Sequence, residues 1–428
     1  MTPGNLDSKR EWSREGCDLR DQARNAVEGA ADMDENTTVG DRIRYWRKRR
    51  KLSQQVLAGL VGRSAVWLSQ IERGVRPIDK LSILQMLANV LKVELGDLIG
   101  AIKLPVNGGA ALDPPAGIPA IRRALLAVDP PDREPLAHDR LRERVEQAKK
   151  LRHAGRYEPV GVVVPELLMD ARATAAAADA SHAWWCLAGA YQVTSALLRT
   201  VGEVELAWIA ADRGIATAQR SGDPFMVSVS ECVLALVLLR AGLLDDAGAV
   251  CSDGADRLAP VAGSPLAAWT MWGALQLTEA VAAARRQELP HVARLLRDAR
   301  AGAKRVGPGP KPYWAAFGPA NVEAYEITIA LEAGDVSEAL RIADRLDVEE
   351  LSSPERRAET CVTVAHAHSL RNDDPAAVSM LLEAERHAAQ EVRYSVLAHT
   401  LVRVCLSRER KSRTPALRAL AERIHVTD

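Results

Sequence analysis

From Thr38 or Gly40 to Lys51, Ile43 and Trp46 recur at helical spacing with Arg47 beside them, while Arg44, Lys48, Arg49 and Lys51 fall on the other side. That pattern predicts a first helix. Ser53 to Val61 predicts a second, with Val56, Leu57, Leu60 and Val61 inside and Gly62 as its end. Ser64 is placed to cap a third that buries Leu68 and Ile71 and stops at Gly74. Pro77 breaks the chain. Ile78 to Leu91 then carries Leu81, Leu84, Leu87, Ala88 and Leu91 on one side, and Leu95 to Ile99 predicts a short fifth helix. Five helices between residues 38 and 100 make one small core.

Around this unit the pattern differs. Residues 1–37 are polar with no apolar period and are expected to be disordered. Met33, just before the first helix, is a candidate for the natural start. Residues 101–131 are rich in Pro and Gly and read as a linker carrying a short amphipathic helix over Ile118 to Val128. From residue 132 to 428 an Ala/Leu-rich helix repeatedly ends in a polar or Gly break, and a second helix follows. The breaks fall at Gly155, Gly202, Gly242, Gln287, Gly334 and Asn372, at spacings of 47, 40, 45, 47 and 38 residues. A recurrence of that length predicts a helical solenoid of about six or seven helix pairs.

Composition adds three points. Ala, Leu and Val dominate the apolar residues, and Phe occurs only at 225 and 317, which favours an all-α fold. Net charge is zero, yet residues 38–100 hold twelve Lys and Arg against five Asp and Glu. Seven of those cations lie between Arg42 and Lys51, so a polyanionic partner is expected for that end alone. The six cysteines show no metal-ligand or disulfide spacing, and the first residues are polar, so a cytoplasmic protein without a membrane span is expected. High Ala, Arg and Val usage suits a high-GC bacterial genome.

The order LSQQVLA, VGRS, LSQIERG and LSILQMLANVLKVELGDLI resembles the phage Cro/repressor or Xre-type helix-turn-helix family, of the λ-repressor-like five-helix fold. Gln54, Leu57, Ala58, Gly62, Ser64, Ile71, Glu72 and Gly74 all fall in its register. The resemblance implies that Gln54 touches a phosphate and steadies the recognition helix, and that Ser64, Ala65, Val66 and Gln70 face the groove floor. It implies that Arg47 and Glu72 form a buried ion pair, and that Arg73 and Arg76 pass the backbone. Arg44 and Lys48 are expected at phosphates, and Arg63 and Ser69 beside the reading face. Gln70 suits an adenine edge, while Ala65 and Val66 offer a thymine methyl only apolar contact.

The segments GDVSEALRIADRL and GEVELAWIAADRG resemble the second helix of tetratricopeptide repeats. In such an array the first helix of each pair lines an inner groove, where Tyr191, Gln192, Trp272, Gln276, Asn321 and Tyr325 are candidates to hold an effector. Trp184, Trp185, Trp208 and Trp269 are expected in the core, and the stiff run from Gly307 to Pro312 is expected to bound a groove. No HExxH, P-loop, GxSxG or paired-carboxylate pattern is present. His366 and His368 point about 200° apart on a helix and cannot share a metal. The expected function is therefore not enzymatic and needs no cofactor or metal. It is a homodimeric DNA-binding regulator whose repeats sense a peptide or small molecule. The alternative is a protein-interaction scaffold with vestigial DNA binding.

Overall fold

A computed structural model describes residues 39–61, 63–73, 86–88, 90–91, 93, 115, 117–128, 132–309, 311–409 and 414–426. Every regular element among them is helical. The chain divides into two compact units, Met1–Lys103 and Leu104–Asp428.

In the first unit α1 (Val39–Arg49), α2 (Gln54–Leu60) and α3 (Ala65–Glu72) enclose Ile43, Trp46, Leu57, Ala58, Val61, Leu68 and Ile71. Leu87, Ala88 and Leu91 complete the core, and residues 86–88 and 90–91 are helical. The remainder of the expected fourth helix, the fifth helix, Gly62, Gly74 and the N-terminal extension lie outside the described residues. One expectation is corrected: Val56 and Leu60 are exposed, at 48% and 60%. A seven-residue helix shows one stripe inward. Leu57 and Val61 occupy that stripe, and the adjacent one carrying Val56 and Leu60 faces out.

The second unit opens with α4 (Ile118–Leu126), which buries Ile118, Ile121 and Leu125 in the main core rather than lying in a linker. It packs on α6 (Tyr157–Ala178) and α8 (Val204–Ser221). Gly117 lies so close to Gly161 that a Cβ there would sit 1.8 Å from the Gly161 carbonyl oxygen. Six helical hairpins follow. They are α5 (His138–His153) with α6, α7 (Ser181–Thr200) with α8, α9 (Pro224–Ala241) with α10 (Leu244–Leu258), and α11 (Leu266–Arg285) with α12 (Leu289–Val306). The last two are α13 (Pro319–Glu332) with α14 (Val336–Ala343), and α15 (Pro354–Leu370) with α16 (Asp374–His387). Three helices end the chain: α17 (Ala389–Tyr394), α18 (Val396–Arg408) and α19 (Pro415–Arg423).

Each hairpin turns on one residue in the left-handed region: Gly155, Gly202, Gly242, Gln287, Gly334 and Asn372, with φ from +59° to +85°. These are the six breaks read from the sequence. Gly adopts that conformation without a Cβ clash, and Asn tolerates it better than most residues. Among the described residues one helix, Pro224–Ala241, is long and apolar enough to cross a membrane by length and composition. Here it packs between α7 and α11, with Glu231 buried.

The first helices stack in order from α5 to α15, and α15 then returns to pack on α5 and α17 on α6. The array therefore closes on itself. Arg152 Nη2 meets Glu355 Oε1 at 2.5 Å, and Tyr157 donates its hydroxyl to Glu391. Glu158 accepts from Arg393 and Tyr394 at 3.2 and 3.0 Å. Burial, reinforced by the charges of Glu359 and Glu355, pushes the Glu391 carboxyl up to about 8.

Glu391 therefore holds a proton in the folded chain at pH values where the unfolded chain has released it. That contribution is complete below the ordinary carboxylate pKa and is lost as pH rises through about 8. Thermal melts from pH 5 to 9 should show Tm falling across this window, and Glu391→Gln, which keeps a neutral acceptor for Tyr157, should flatten the fall. An unchanged slope in the variant would assign the pH dependence to other groups.

Candidate nucleic-acid interface and a cleft in the array

Local chemistry sets the two helices of the first unit. The Ser53 hydroxyl accepts from Val56 N at 3.1 Å and caps α2; Ser64 accepts from Trp67 N at 3.2 Å and caps α3. Tertiary packing then locks them. Arg47 donates Nε and Nη2 to the two oxygens of Glu72 at 2.5 and 2.8 Å, and Nη1 to the Leu52 carbonyl at 2.9 Å. Gln54 Nε2 donates to Glu72 Oε2 at 2.8 Å. One buried carboxylate thus joins α1, the start of α2 and the end of α3. The Glu72 hydrogen bond holds the Arg47 guanidinium above its ordinary pKa. Gln54, expected to touch a phosphate and steady the recognition helix, gives one amide N–H to this network and is otherwise half-buried. Gly40 lets α1 approach the end of α3, since a Cβ there would lie 2.1 Å from the Ile71 carbonyl oxygen.

The residues named for contact differ in exposure. Arg44, Lys48, Arg63, Ser64, Val66 and Arg73 are exposed; Ala65, Ser69 and Gln70 are half-buried. Arg63 lies over the Trp67 ring at 5.9 Å, and Arg73 Nε donates to the Ser69 carbonyl at 3.2 Å. Arg76 lies outside the described residues.

The six groove candidates of the array are placed differently from the sequence expectation. Tyr191, Gln192, Gln276 and Asn321 are buried. Gln192 donates to Ser230 Oγ at 2.9 Å, and Asn321 Oδ1 accepts from Arg356 Nε at 2.8 Å. Trp272 is half-buried edge-on to Trp269, and the half-buried Tyr325 ring lies under Arg356 at 4.6 Å. First helices that pack on both neighbours turn Gln192 and Asn321 into helix–helix contacts, while Tyr191 lines a smaller pocket with Arg172, Trp184 and Arg213. Trp184, Trp185 and Trp269 pack half-buried, whereas Trp208 is 47% exposed.

The array does hold a cleft of about 540 Å³, lined by residues that sequence reading did not bring together. His138 and Ser181 are the first residues of α5 and α7, and neither helix has a side-chain cap. The rings of His138 and His182 meet edge to face at 4.4 Å. Arg142 and Lys149 approach the Trp185 ring at 5.9 and 4.9 Å. The far wall is Tyr313–Trp314, at the end of the Gly307–Pro312 run. Both residues sit at positive φ, +58° and +59°, a conformation that costs each about 1–3 kcal/mol. Long-range contacts hold them there. Tyr313 OH donates to Asp223 Oδ2 at 2.7 Å, and Trp314 Nε1 donates to Glu146 Oε2 at 2.7 Å. The Trp314 ring stacks on His153 at 5.3 Å. Burial, with Arg152 and Lys149 nearby, pushes His153 down to about 3, so it packs as a neutral ring. The one sequence signal was the stiff 307–312 run, which gives no hint of which helices it meets.

Residues 38–100 match the family model of a helix-turn-helix domain. A comparison with curated proteins gives no match. Among solved structures the chain is similar to the crystal structure of Bacillus thuringiensis PlcR in complex with the peptide PapR7 and DNA. The identity is 12%, over 81% of this chain and 99% of that one, with a TM-score of 0.34. A likeness of that size says nothing about how this chain works.

Replacing Glu72 by Ala strands a buried guanidinium and should cost about 3–5 kcal/mol. Calorimetric or denaturant melts resolving the first unit's transition should show that loss. Gln54→Ala, which leaves the ion pair intact, should cost about 1 kcal/mol, as for one hydrogen bond.

Proposed function

We propose that this chain is a transcription regulator of the Xre/Cro-repressor type that binds double-stranded DNA as a homodimer. Its helical array carries dimerisation and senses a peptide or small-molecule effector. The observation that carries the reading is the Arg47–Glu72–Gln54 network, which holds α2 and α3 as a rigid pair with cations on the outside. The match of residues 38–100 to a helix-turn-helix domain supports it. In this reading α3 enters the major groove. Arg44, Lys48, Arg63, Arg73 and Arg76 meet phosphates, and Ser64, Ala65, Val66, Ser69 and Gln70 face base edges. A dimer would read half-sites spaced by whole turns of about 34 Å. An effector would act by binding two states of the array with different affinities.

Ala65 and Val66, the latter 68% exposed, offer little direct readout and favour the scaffold reading in part. Gel shifts over a salt series with the protein's own promoter and random DNA separate the two. A regulator should bind its promoter more tightly, with affinity falling steeply with salt, and each Arg→Ala at Arg44, Arg63 or Arg73 should flatten the logarithmic slope by about one unit. A flat salt dependence with no promoter preference would leave the scaffold.

A further inference from the structure

The cleft has features that point to a ligand of one chemical class. Lys149 is 5% exposed, and its nearest acid oxygen is Glu146 Oε1 at 3.5 Å. The other oxygen of Glu146 already accepts from Trp314. A buried ammonium ordinarily gathers close acceptors; this one has a loose carboxylate and the face of Trp185. Burial accordingly lowers the Lys149 pKa, and the charge and hydrogen bond of Glu146 offset it only in part. His138 Nδ1 is buried without a hydrogen-bond partner. The starts of α5 and α7 converge on the same space without side-chain caps, and free N–H groups at helix starts favour anions.

The charge count limits the anion. Arg142 and Lys149 line the cleft against Glu146, an excess of one positive charge. Asp223 lies behind Trp185 and Tyr313 but is committed. It caps α9 through Phe225 N and accepts from both side chains. One negative charge balances this site, and a dianion would overshoot. The remaining walls are the rings of Trp185, Tyr313, Trp314 and His182. A volume of about 540 Å³ lies in the range of small-molecule sites.

We propose that this cleft binds a small monocarboxylate with an aromatic or apolar body, its carboxylate between Lys149, Arg142 and the starts of α5 and α7, its body against Trp185 and Trp314. The assignment rests on the reading of the array as the sensing part of a regulator and gives that part a site. Lys149 lies one helical turn before Arg152, whose contact with Glu355 closes the array. A carboxylate that draws on Lys149 therefore acts beside the contact joining first and last hairpins.

The test is isothermal titration of the full-length protein with phenylacetate and indole-3-acetate, against the corresponding amides and phenyl phosphate. At least one carboxylate should bind one per chain, about tenfold or more tighter than its amide. Arg142→Gln, at an exposed position, and Lys149→Met, with its fold checked by circular dichroism, should each weaken it about tenfold. Carboxylate and amide binding alike, or an Arg142→Gln protein that binds as tightly as the parent, overturns the proposal. Tighter binding of phenyl phosphate overturns the monoanion assignment. Specific promoter binding with no carboxylate uptake would sink this site and leave the regulator standing. Carboxylate uptake that leaves promoter affinity unchanged would do the reverse, keeping the site and removing its sensing role.

Discussion

A charge taken out of water needs an opposite charge or a proton, and each unit of this chain is tied together by that demand. In the first unit Arg47 reaches Glu72, 25 residues on; in the second Arg152 reaches Glu355, 203 residues on. The short pair fixes how α3 sits against α1, and Gln54 adds α2 to the same carboxylate. The long pair draws the last hairpin onto the first, and Tyr157 on Glu391 adds α17 to the same junction. Without partners Arg47, Glu72, Arg152 and Glu355 would be unpaired charges away from water, so the arrangement of helices and the pairing of charges stand together.

The closing contacts and the cleft share one helix. Helix α5 carries both duties: Lys149 toward the cleft and, one turn later, Arg152 and His153 toward the closing contacts. Trp314 stacks on His153 and bonds Glu146, so the segment after α12 is anchored to the first hairpin. Two consecutive residues at positive φ are tolerated because Tyr313 and Trp314 each gain a hydrogen bond and a ring contact on a distant helix. Backbone strain here coincides with a loosely satisfied buried ammonium.

Local signals in the sequence carried far. The six hairpin breaks were legible because a tight helical turn needs a left-handed residue, and Gly, Gln and Asn stood at those points at a recurrent spacing. The helix-turn-helix frame was legible through the Ser64 cap and the register of Leu57, Leu68 and Ile71. The inward face of α2 was misjudged because two adjacent apolar stripes, Leu57/Val61 and Val56/Leu60, compete on a seven-residue helix. Only packing chooses between them. Gln192 and Asn321 were misread for a related reason: polarity on a first helix marks a groove in an open array, but here it bonds a neighbouring first helix; Gln276 is buried as well.

The sequence by itself therefore determined the hairpin breaks and the helix-turn-helix register, since caps, left-handed turns and apolar period act over a few residues. Tertiary structure alone decided that the array closes, that α4 belongs to it, and that His138, Lys149, Trp185 and Trp314 share one space. Those outcomes depend on contacts between residues up to 236 positions apart. No local pattern encodes them, because each arises from the accumulated angle of successive hairpins.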